Sequence, residues 1–338
     1  MGSKHLTRVF WAILLIVLVS AGCTRSSRLF PTQNLTAVGW HEYSIKVNGE
    51  TRWFQIYVPQ VLPLNTGAVF VLHGSLQSMR EIFKPDAGGT LGWIDIANRE
   101  GIILVAPNGT NPDTGNTKGD DQDWNDLRTD LDTKHSNAED VEFIRELHDW
   151  VLKNYSIDTK KVFITGISTG GIMMFRIIFE LPGRFAAAVS FNANLPNPTS
   201  IPGNYIIKTP IMLVNGVKDP FMKWDGGSDY DIGSMKSTLG TIDWWIMANN
   251  ATTLHPIISI LPDLSPGDGC QISRTFYPAN GGGAPVMFYK IDGGGHTIPT
   301  QQYTLSDEKF QETIFGPVCH DAEGAELAWQ FLTNPNSP

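Results

Sequence analysis

The sequence predicts an α/β fold in which one mostly parallel sheet is covered by helices on both faces. Two observations lead to this prediction. Short apolar runs such as 68–72 and 211–215 are continuous rather than alternating, which is typical of strands buried on both faces. Along the chain these runs alternate with segments whose apolar residues recur at helical spacing, which is the order of βα units.

The predicted elements follow in order from residue 40. Strands at 40–47 and 51–58 flank Asn48-Gly49, a dipeptide that favours a type I′ hairpin turn, so they add an antiparallel edge. Ser136-Asn137-Ala138-Glu139 matches a capping box, which predicts a helix that runs to Val151. The other predicted strands are 68–72, 102–106, 161–165, 185–191, 211–215 and 286–291, and the other predicted helices are 91–100, 171–181, 237–249 and 322–333.

The composition excludes several classes of function. The 338 residues include 25 Lys and Arg against 34 Asp and Glu, a net charge of −9, whereas nucleic-acid binding requires clustered positive charge. Hydrophobic residues make up 41% of the chain and charged residues 17%, which supplies a buried core and argues against disorder. We therefore expect a globular protein with no nucleic-acid partner.

The N-terminus has the organisation of an export signal. Lys4 and Arg8 precede an apolar run at 9–19 that is too short to span a bilayer, and small residues follow it. The ending Ser-Ala-Gly-Cys resembles the bacterial lipobox, although Ser20 stands where Leu is usual. We predict a lipoprotein signal peptide at 1–22, lipidation and membrane anchoring at Cys23, a tether at 23–38 and a single domain at 39–338. Secretion without a lipid is the alternative.

The cysteine count agrees with export. If Cys23 carries lipid, Cys270 and Cys319 remain, and two cysteines in an oxidising compartment can pair. We therefore predict a disulfide between them. Two inert buried thiols are the alternative.

The segment Gly166–Gly170 has the pattern G-x-S-x-G. It lies between the predicted strand 161–165 and the predicted helix 171–181, which is the context in which this pattern exposes a nucleophilic serine. The interpretation makes Ser168 a nucleophile that requires a base. A glycine-rich turn with an ordinary serine is the alternative.

Two later residues could complete a catalytic triad. Asp219 follows the predicted strand 211–215, and His296 follows the predicted strand 286–291. Both therefore lie just past the carboxyl end of a strand, where the sites of α/β proteins collect. A turn-forming Asp219 with Asp225 as the acid, and a His296 that only caps a loop, stay open as alternatives.

Main-chain donors for an oxyanion are predicted next to two strand ends. The amide of Thr169 follows the nucleophile, and the amide of Ser75 lies in the loop after strand 68–72. His73 precedes Ser168 in the chain, so we interpret it as a loop residue rather than the base. The residues that we expect to contact substrate are His73, Trp124 and Trp224.

An acidic loop raises the question of a metal site. Asp121, Asp123, Asn125 and Asp132 match positions 1, 3, 5 and 12 of a calcium-binding loop. Position 6 is however Asp126, where such a loop requires glycine. We therefore expect no metal and no cofactor, and we interpret the segment as a solvated acidic loop or a substrate loop.

With these residues identified, the sequence resembles the polyhydroxybutyrate depolymerase and feruloyl or acetylxylan esterase family of α/β-hydrolases, including its bacterial lipoprotein members. The resemblance is carried by LHGSLQS at 72–78, WND at 124–126, AEDVEFIRELHDWV at 138–151, TGISTGGIMMFRI at 165–177, LPGRFAAAVSF at 181–191, NGVKDPFMKWDGG at 215–227 and YKIDGGGHTIP at 289–299. It implies the α/β-hydrolase fold, with Ser168 as nucleophile, Asp219 as acid, His296 as base and an oxyanion amide at Ser75. Relatives often have Cys at the position of Ser75, and many have Trp at that of Ile298.

These observations together predict a serine carboxylic-ester hydrolase. The resemblance implies a substrate of the polyhydroxyalkanoate type or a feruloyl or acetyl ester of plant polysaccharide. The substrate is expected between the loops 107–135 and 220–236, with no helical lid. A serine peptidase and a non-catalytic binding lipoprotein on the same fold are the alternatives.

Overall fold

The computed structural model describes residues 35–129, 135–201, 207–228, 232–303 and 308–338. The predicted signal peptide, Cys23 and most of the predicted tether lie outside the described residues. The chain from Leu35 to Pro338 makes one compact unit. Within the described ranges no helix has both the length and the apolar character needed to cross a membrane.

The described residues form twelve strands and six α-helices. The strands are β1 (Gly39–Val47), β2 (Glu50–Val58), β3 (Thr66–Leu72), β4 (Ile103–Pro107), β5 (Ile157–Ile167), β6 (Ala188–Phe191), β7 (Ile211–Gly216), β8 (Gly227–Ser228), β9 (Ser234–Met235), β10 (Ile257–Ile260), β11 (Gln271–Tyr277) and β12 (Val286–Asp292). The helices are α1 (Gly92–Glu100), α2 (Asp140–Asn154), α3 (Thr169–Glu180), α4 (Thr238–Ala248), α5 (Glu308–Phe315) and α6 (Gly324–Thr333). Short 3-10 helices at Glu81–Phe83 and Gly88–Leu91 precede α1.

Ten strands make one sheet in the spatial order β1-β2-β4-β3-β5-β6-β7-β12-β11-β10. The six central strands, from β4 to β12, are parallel. Antiparallel strands close both edges, β1 and β2 on one side and β11 and β10 on the other. Because parallel strands all end at the same edge, the loops after β3, β5, β7 and β12 meet at one rim of the sheet.

Alternate residues of the central strands enter two separate layers of the core. Along β3, Phe70 and Leu72 pack in the layer that includes α2, α3 and α4. Val69 and Val71 pack in the opposite layer, which includes α1 and α6. Burial on both faces explains why these strands are continuous apolar runs in the sequence. Helix α5 belongs to neither layer, since none of its side chains is buried.

The predicted fold class is confirmed, and the leading hairpin forms the predicted antiparallel edge. The second antiparallel edge, β10 and β11, was not predicted, because β10 is exposed along most of its length and β11 mixes polar and apolar residues. The prediction of a capping box at 136–139 is wrong. Helix α2 begins only at Asp140, and Ser136 Oγ accepts a hydrogen bond from Ala138 N–H at 3.0 Å.

The predicted disulfide between Cys270 and Cys319 is confirmed. The two Cα atoms lie 5.6 Å apart and the bond spans 49 residues of sequence. Both half-cystines are buried, at 7% and 1% exposure. The bond connects Cys270, directly before β11, to the segment between α5 and α6.

Candidate active site

Ser168 occupies a strained turn between β5 and α3. Its backbone torsions are φ 56° and ψ −128°, a combination that residues with a side chain rarely adopt. Ser168 N–H donates to Phe191 O at 3.0 Å, and Ser168 O accepts from Gly171 N–H at 2.8 Å. Thr169 begins α3, where main-chain N–H groups have no partner within the helix. Strain of this kind, which costs about 1–3 kcal/mol, is concentrated at functional sites.

Two glycines allow this turn to close. A Cβ on Gly166 would overlap the main-chain oxygen of Gly170, and a Cβ on Gly170 would overlap that of His73. A Cβ on Gly74 would lie 3.2 Å from the Cβ of Ser168, so the loop after β3 runs directly beside Ser168. The strand-to-helix context predicted for G-x-S-x-G is therefore present.

His296 and Asp219 form a buried hydrogen-bonded pair. His296 Nδ1 lies 2.6 Å from Asp219 Oδ2, and the side chains are 8% and 1% exposed. Asp219 Oδ1 accepts the N–H groups of Phe221 and Met222, each at 2.8 Å. Because a carboxylate only accepts, Nδ1 carries the imidazole proton and Nε2 is left basic. Asp225, the other carboxylate considered for this role, is exposed.

Asn192 joins the loops that carry these side chains. It directly follows Phe191, whose oxygen receives Ser168 N–H. Its Nδ2 donates to Thr297 O at 2.9 Å, and its Oδ1 accepts Gly216 N–H at 3.3 Å. Asn192 is buried and has a φ of 48°. One side chain thereby links the turn of Ser168 to the acid loop and to the histidine loop.

The loop after β3 offers one amide at the predicted oxyanion position. Gly74 N–H donates to Gln77 Oε1 at 3.0 Å, so the amide of Ser75 is the better candidate in this loop. Leu76 N–H donates to Gln122 O and Gln122 N–H donates to Gln77 O, both at 3.0 Å. These two bonds fix the loop against the segment that follows β4.

Ser75 is also tied to a buried ion cluster. Its Oγ donates to Asp123 Oδ2 at 3.1 Å, and Arg128 Nη2 donates to the same oxygen at 2.9 Å. Arg128 Nε binds both oxygens of Asp126, at 3.0 and 2.9 Å. The three charged side chains are at most 3% exposed. The expectation of a solvated acidic loop is therefore wrong for Asp123 and Asp126, because Arg128 pairs with both of them inside the protein.

Burial governs the ionisation of this cluster. Burial raises the pKa of Asp126, and the attraction of Arg128 opposes this shift only in part. Burial also lowers the pKa of Arg128, but its two carboxylate partners outweigh that effect and leave the pKa raised. Since Asp123 is held by Arg128 and Ser75, it does not present a free carboxylate to a calcium ion. Asp132, the last residue of the considered calcium loop, lies outside the described residues.

The chain is similar to several known ester hydrolases. A family model described as Phospholipase/Carboxylesterase matches residues 86–230. The protein named esterase NocK of Nocardia uniformis subsp. tsuyamanensis is 26% identical, over 85% of this chain and 81% of its own length. Poly(3-hydroxyalkanoate) depolymerase C of Paucimonas lemoignei is 25% identical, over 75% of this chain and 60% of its own length. Acetylxylan esterase A of Aspergillus oryzae is 26% identical, over 40% of each chain.

The chain has the α/β-hydrolase fold. Two relatives that it matches over three quarters of its length or more are named as an esterase and a poly(3-hydroxyalkanoate) depolymerase, and the chain is accordingly an ester-hydrolysing enzyme. Among solved structures, the acetyl xylan esterase from Aspergillus awamori has a TM-score of 0.49 and 16% identity, over 81% of this chain and 98% of that chain.

His73 is a structural residue of the hydrolase, which corrects its assignment to substrate binding. Its side chain is fully buried, at 0% exposure. Nδ1 lies 2.7 Å from Gly74 O and must donate, while Nε2 accepts Gly109 N–H at 3.0 Å. Burial lowers the pKa of His73 to about 4. Both ring nitrogens are thus satisfied in the neutral state, and neither is left to contact a substrate.

The two tryptophans expected at the substrate differ in exposure. Trp124 is 0% exposed, and its Nε1 donates to His73 O at 2.8 Å, so its assignment to direct substrate contact is wrong. Trp224 is half-buried, with Phe288 at a ring-centroid distance of 6.1 Å and Lys290 Nζ 5.6 Å from its centroid. Contact between Trp224 and substrate stays a prediction.

Sequence reasoning missed several residues that shape the site. Phe221 lies edge-on to the imidazole of His296, with ring centroids 5.2 Å apart. Arg128 and Asn192 position loops that carry predicted site residues. The available signals were an aromatic residue two positions after the acid, and an arginine among the acids of the 120–128 loop. Nothing in the sequence marked Asn192, because the two partners of its side chain come from separate loops.

Proposed function

We propose that the hydrolase is a serine carboxylic-ester hydrolase whose catalytic triad is Ser168, Asp219 and His296. The observation that carries the proposal is the buried 2.6 Å hydrogen bond between Asp219 and His296. Both residues follow strands that end at the same rim of the sheet as β5, the strand that precedes Ser168. An acid bonded to Nδ1 fixes the tautomer whose Nε2 can take a proton from a serine hydroxyl. The chain order Ser, Asp, His is that of α/β-hydrolases.

In this mechanism Ser168 Oγ attacks the ester carbonyl carbon while His296 Nε2 takes the hydroxyl proton. The amides of Thr169 and Ser75 stabilise the negative charge that develops on the carbonyl oxygen. Asp219 stabilises the imidazolium, which then gives its proton to the leaving alcohol. A water molecule, activated by His296, hydrolyses the acyl-enzyme and restores Ser168.

The proposed substrate is a neutral ester, either a polyester of hydroxyalkanoate units or a feruloyl or acetyl ester of plant polysaccharide. The names of the depolymerase and acetylxylan esterase relatives support these two classes. Leu76, the residue after Ser75, offers an apolar side chain that is 73% exposed. The net charge of −9 disfavours strongly anionic substrates.

We also propose that the hydrolase is exported and anchored to a membrane by a lipid on Cys23. The basic, apolar and small-residue order of the first 23 residues supports export. The disulfide between Cys270 and Cys319 supports an oxidising compartment. Mass spectrometry of protein from the membrane fraction should find acylated Cys23 as the first residue, whereas a soluble protein with an unmodified thiol would refute anchoring.

The proposed activity is tested by Ser168→Ala against Ser190→Ala, which removes a buried hydroxyl from the neighbouring strand β6. Hydrolysis of p-nitrophenyl acetate should be lost in the first variant and kept in the second. Assays on a polyhydroxybutyrate suspension, a feruloyl ester, acetylated xylan and a peptide amide then rank the substrate classes. Activity that survives Ser168→Ala would refute the assigned nucleophile, and turnover confined to the peptide amide would identify a peptidase.

A further inference from the structure

One short segment packs against both the loop of His296 and the loop of Asp219. We name residues Phe315–Cys319 the clamp segment; it runs from the end of α5 to the disulfide. Its main-chain oxygens accept hydrogen bonds from the histidine loop. His296 N–H donates to Phe315 O at 2.5 Å, Gly295 N–H to Pro317 O at 2.7 Å, and Thr300 N–H to Cys319 O at 3.0 Å.

Gly316 is the point of the clamp segment at which the two loops meet. It has a φ of 77°, and a Cβ on it would lie 2.9 Å from Gly295 Cα and 2.9 Å from Lys218 O. The same Cβ would lie 3.6 Å from Cδ of Pro220. Gly295 precedes His296, and Lys218 and Pro220 flank Asp219. The main chain at Gly316 therefore packs between the base and the acid more closely than a side chain would permit.

The clamp segment is fixed at both ends. At one end Cys319 is joined to Cys270, which directly precedes the pairing of Gln271 with Asp292 between β11 and β12. At the other end the ring of Phe315 lies 5.8 Å from that of Phe221, the residue whose edge faces His296. The disulfide thus connects the clamp segment to the start of β11, which pairs with β12, the strand from which the histidine loop emerges.

We propose that the clamp segment and its disulfide are a positioning device that sets the separation of His296 and Asp219. The proposal rests on the catalytic roles proposed for these two residues. The hydrogen bonds fix the histidine loop, Gly316 spaces it from the acid loop, and the disulfide stops the segment from sliding. Since none of these groups lies in the six central strands, disturbing them should misplace the base without unfolding the sheet. Misplacement of a catalytic group by about 1 Å costs up to about 100-fold in rate.

The sharpest test compares Gly316→Ala with Gly183→Ala. Gly183 has nearly the same backbone torsion, φ 78°, but nothing lies within 4 Å of a Cβ placed there. With p-nitrophenyl acetate, Gly316→Ala should lower kcat at least about tenfold and leave KM nearly unchanged. It should also weaken or shift the downfield proton resonance of His296 Nδ1–H, which reports the bond to Asp219. Gly183→Ala should leave kcat and the resonance unchanged.

A wild-type kcat in Gly316→Ala, or an equal loss in both variants, would overturn the proposal. Should Gly316→Ala fail to fold, the double variant Cys270→Ala/Cys319→Ala tests the same device. It should lower kcat at a temperature well below its melting point. Leu332→Ala, a buried change in the same core layer on α6, should lower the melting point and leave kcat unchanged.

Failure of the positioning proposal is distinguishable from failure of the proposed function. If the double cysteine variant only melts earlier and keeps its kcat, the disulfide serves stability alone and the positioning role is refuted. If instead the His296→Ala variant keeps the activity of the wild type, the assigned base is wrong, whatever the cysteine variants do.

Discussion

The two walls of the site beside Ser168 are held by different physical means. On one side, the loop that carries Ser75 is fixed by two main-chain hydrogen bonds to Gln122 and, in addition, by buried charged side chains, chiefly Asp123 and Arg128. On the other side, the loops that carry Asp219 and His296 are fixed by main-chain hydrogen bonds, close glycine packing and a disulfide. We therefore expect the position of the Ser75 loop to respond to changes of charge and pH. The positions of the Asp219 and His296 loops should instead respond to a side chain added at a closely packed glycine.

The two histidines of these walls show the same difference. His73 is fully buried, both of its ring nitrogens are bonded to main-chain groups, and burial lowers its pKa to about 4. His296 has Asp219 on Nδ1, which leaves Nε2 able to accept a proton. The residue type is therefore a weak indicator of role. The partner on each nitrogen decides whether the imidazole is structural or basic.

The largest expected effect comes from Asp219→Asn. An Asn amide would donate to Nδ1 and favour the wrong tautomer, so kcat should fall by about 10⁴-fold with little change in stability. Asp225→Asn is the matched control, since Asp225 is exposed in the same loop, and it should keep the wild-type kcat. Steady-state kinetics with p-nitrophenyl acetate measures kcat in both variants. Equal losses in the two variants would contradict the assignment of the acid.

Next in size is the loss of the buried cation in Arg128→Met. Asp123 and Asp126 would then be left buried without a partner, and the free energy of unfolding should fall by about 3–5 kcal/mol at pH 7. Arg145→Met removes an arginine that pairs with carboxylates on the surface of α2, where solvent screens the attraction, so its free energy of unfolding should stay close to that of the wild type. Urea unfolding compares the two variants. A small loss in Arg128→Met would mean that the first wall does not depend on this charge.

His73 should make the fold sensitive to acid. Its pKa is about 4 in the folded state against 6.5 for the free side chain. Between these values the unfolded chain binds the additional proton, so stability is full above pH 6.5 and falls as the pH approaches 4. The loss should reach about 3 kcal/mol. Urea unfolding at pH 7, 5.5 and 4 measures it.

The control for that prediction is His73→Asn, which removes the titrating group. Its stability should fall less than that of the wild type over the same pH range, and the difference between the two proteins isolates His73 from the carboxylates. Parallel pH dependences would show that the imidazole does not titrate in this way.

The smallest expected effect is that of Ser75→Ala. The variant loses the hydrogen bond from its hydroxyl to Asp123 but keeps the main-chain N–H, so the free energy of unfolding should fall by about 1–2 kcal/mol. Because the proposed oxyanion donor is the amide, kcat should fall less than about tenfold, against about 10²–10³ for loss of a donor. A fall of the larger size would indicate that the hydroxyl, rather than the amide, faces the oxyanion.

The sequence by itself determined the central sheet and the positions of three chemical groups. Continuous apolar runs mark strands that are buried on both faces, and Ser168, Asp219 and His296 each follow such a run. Since parallel strands end at one rim, strand order along the chain was sufficient to expect these residues at the same edge. The disulfide followed from a count of cysteines and from the export signal.

Only the tertiary structure decided which polar residues are buried. Asp123, Asp126 and Arg128 resemble a solvated loop in the sequence, because pairing between side chains leaves no periodic signal. His73 and Trp124 look like accessible site residues until the packing of the segment after β4 encloses them. The same holds for Gly316, whose importance depends on contacts with Gly295 and Lys218, residues that are distant from one another in the chain. Local patterns record the environment of one element, whereas these roles arise from contacts between loops that the chain brings together only when it folds.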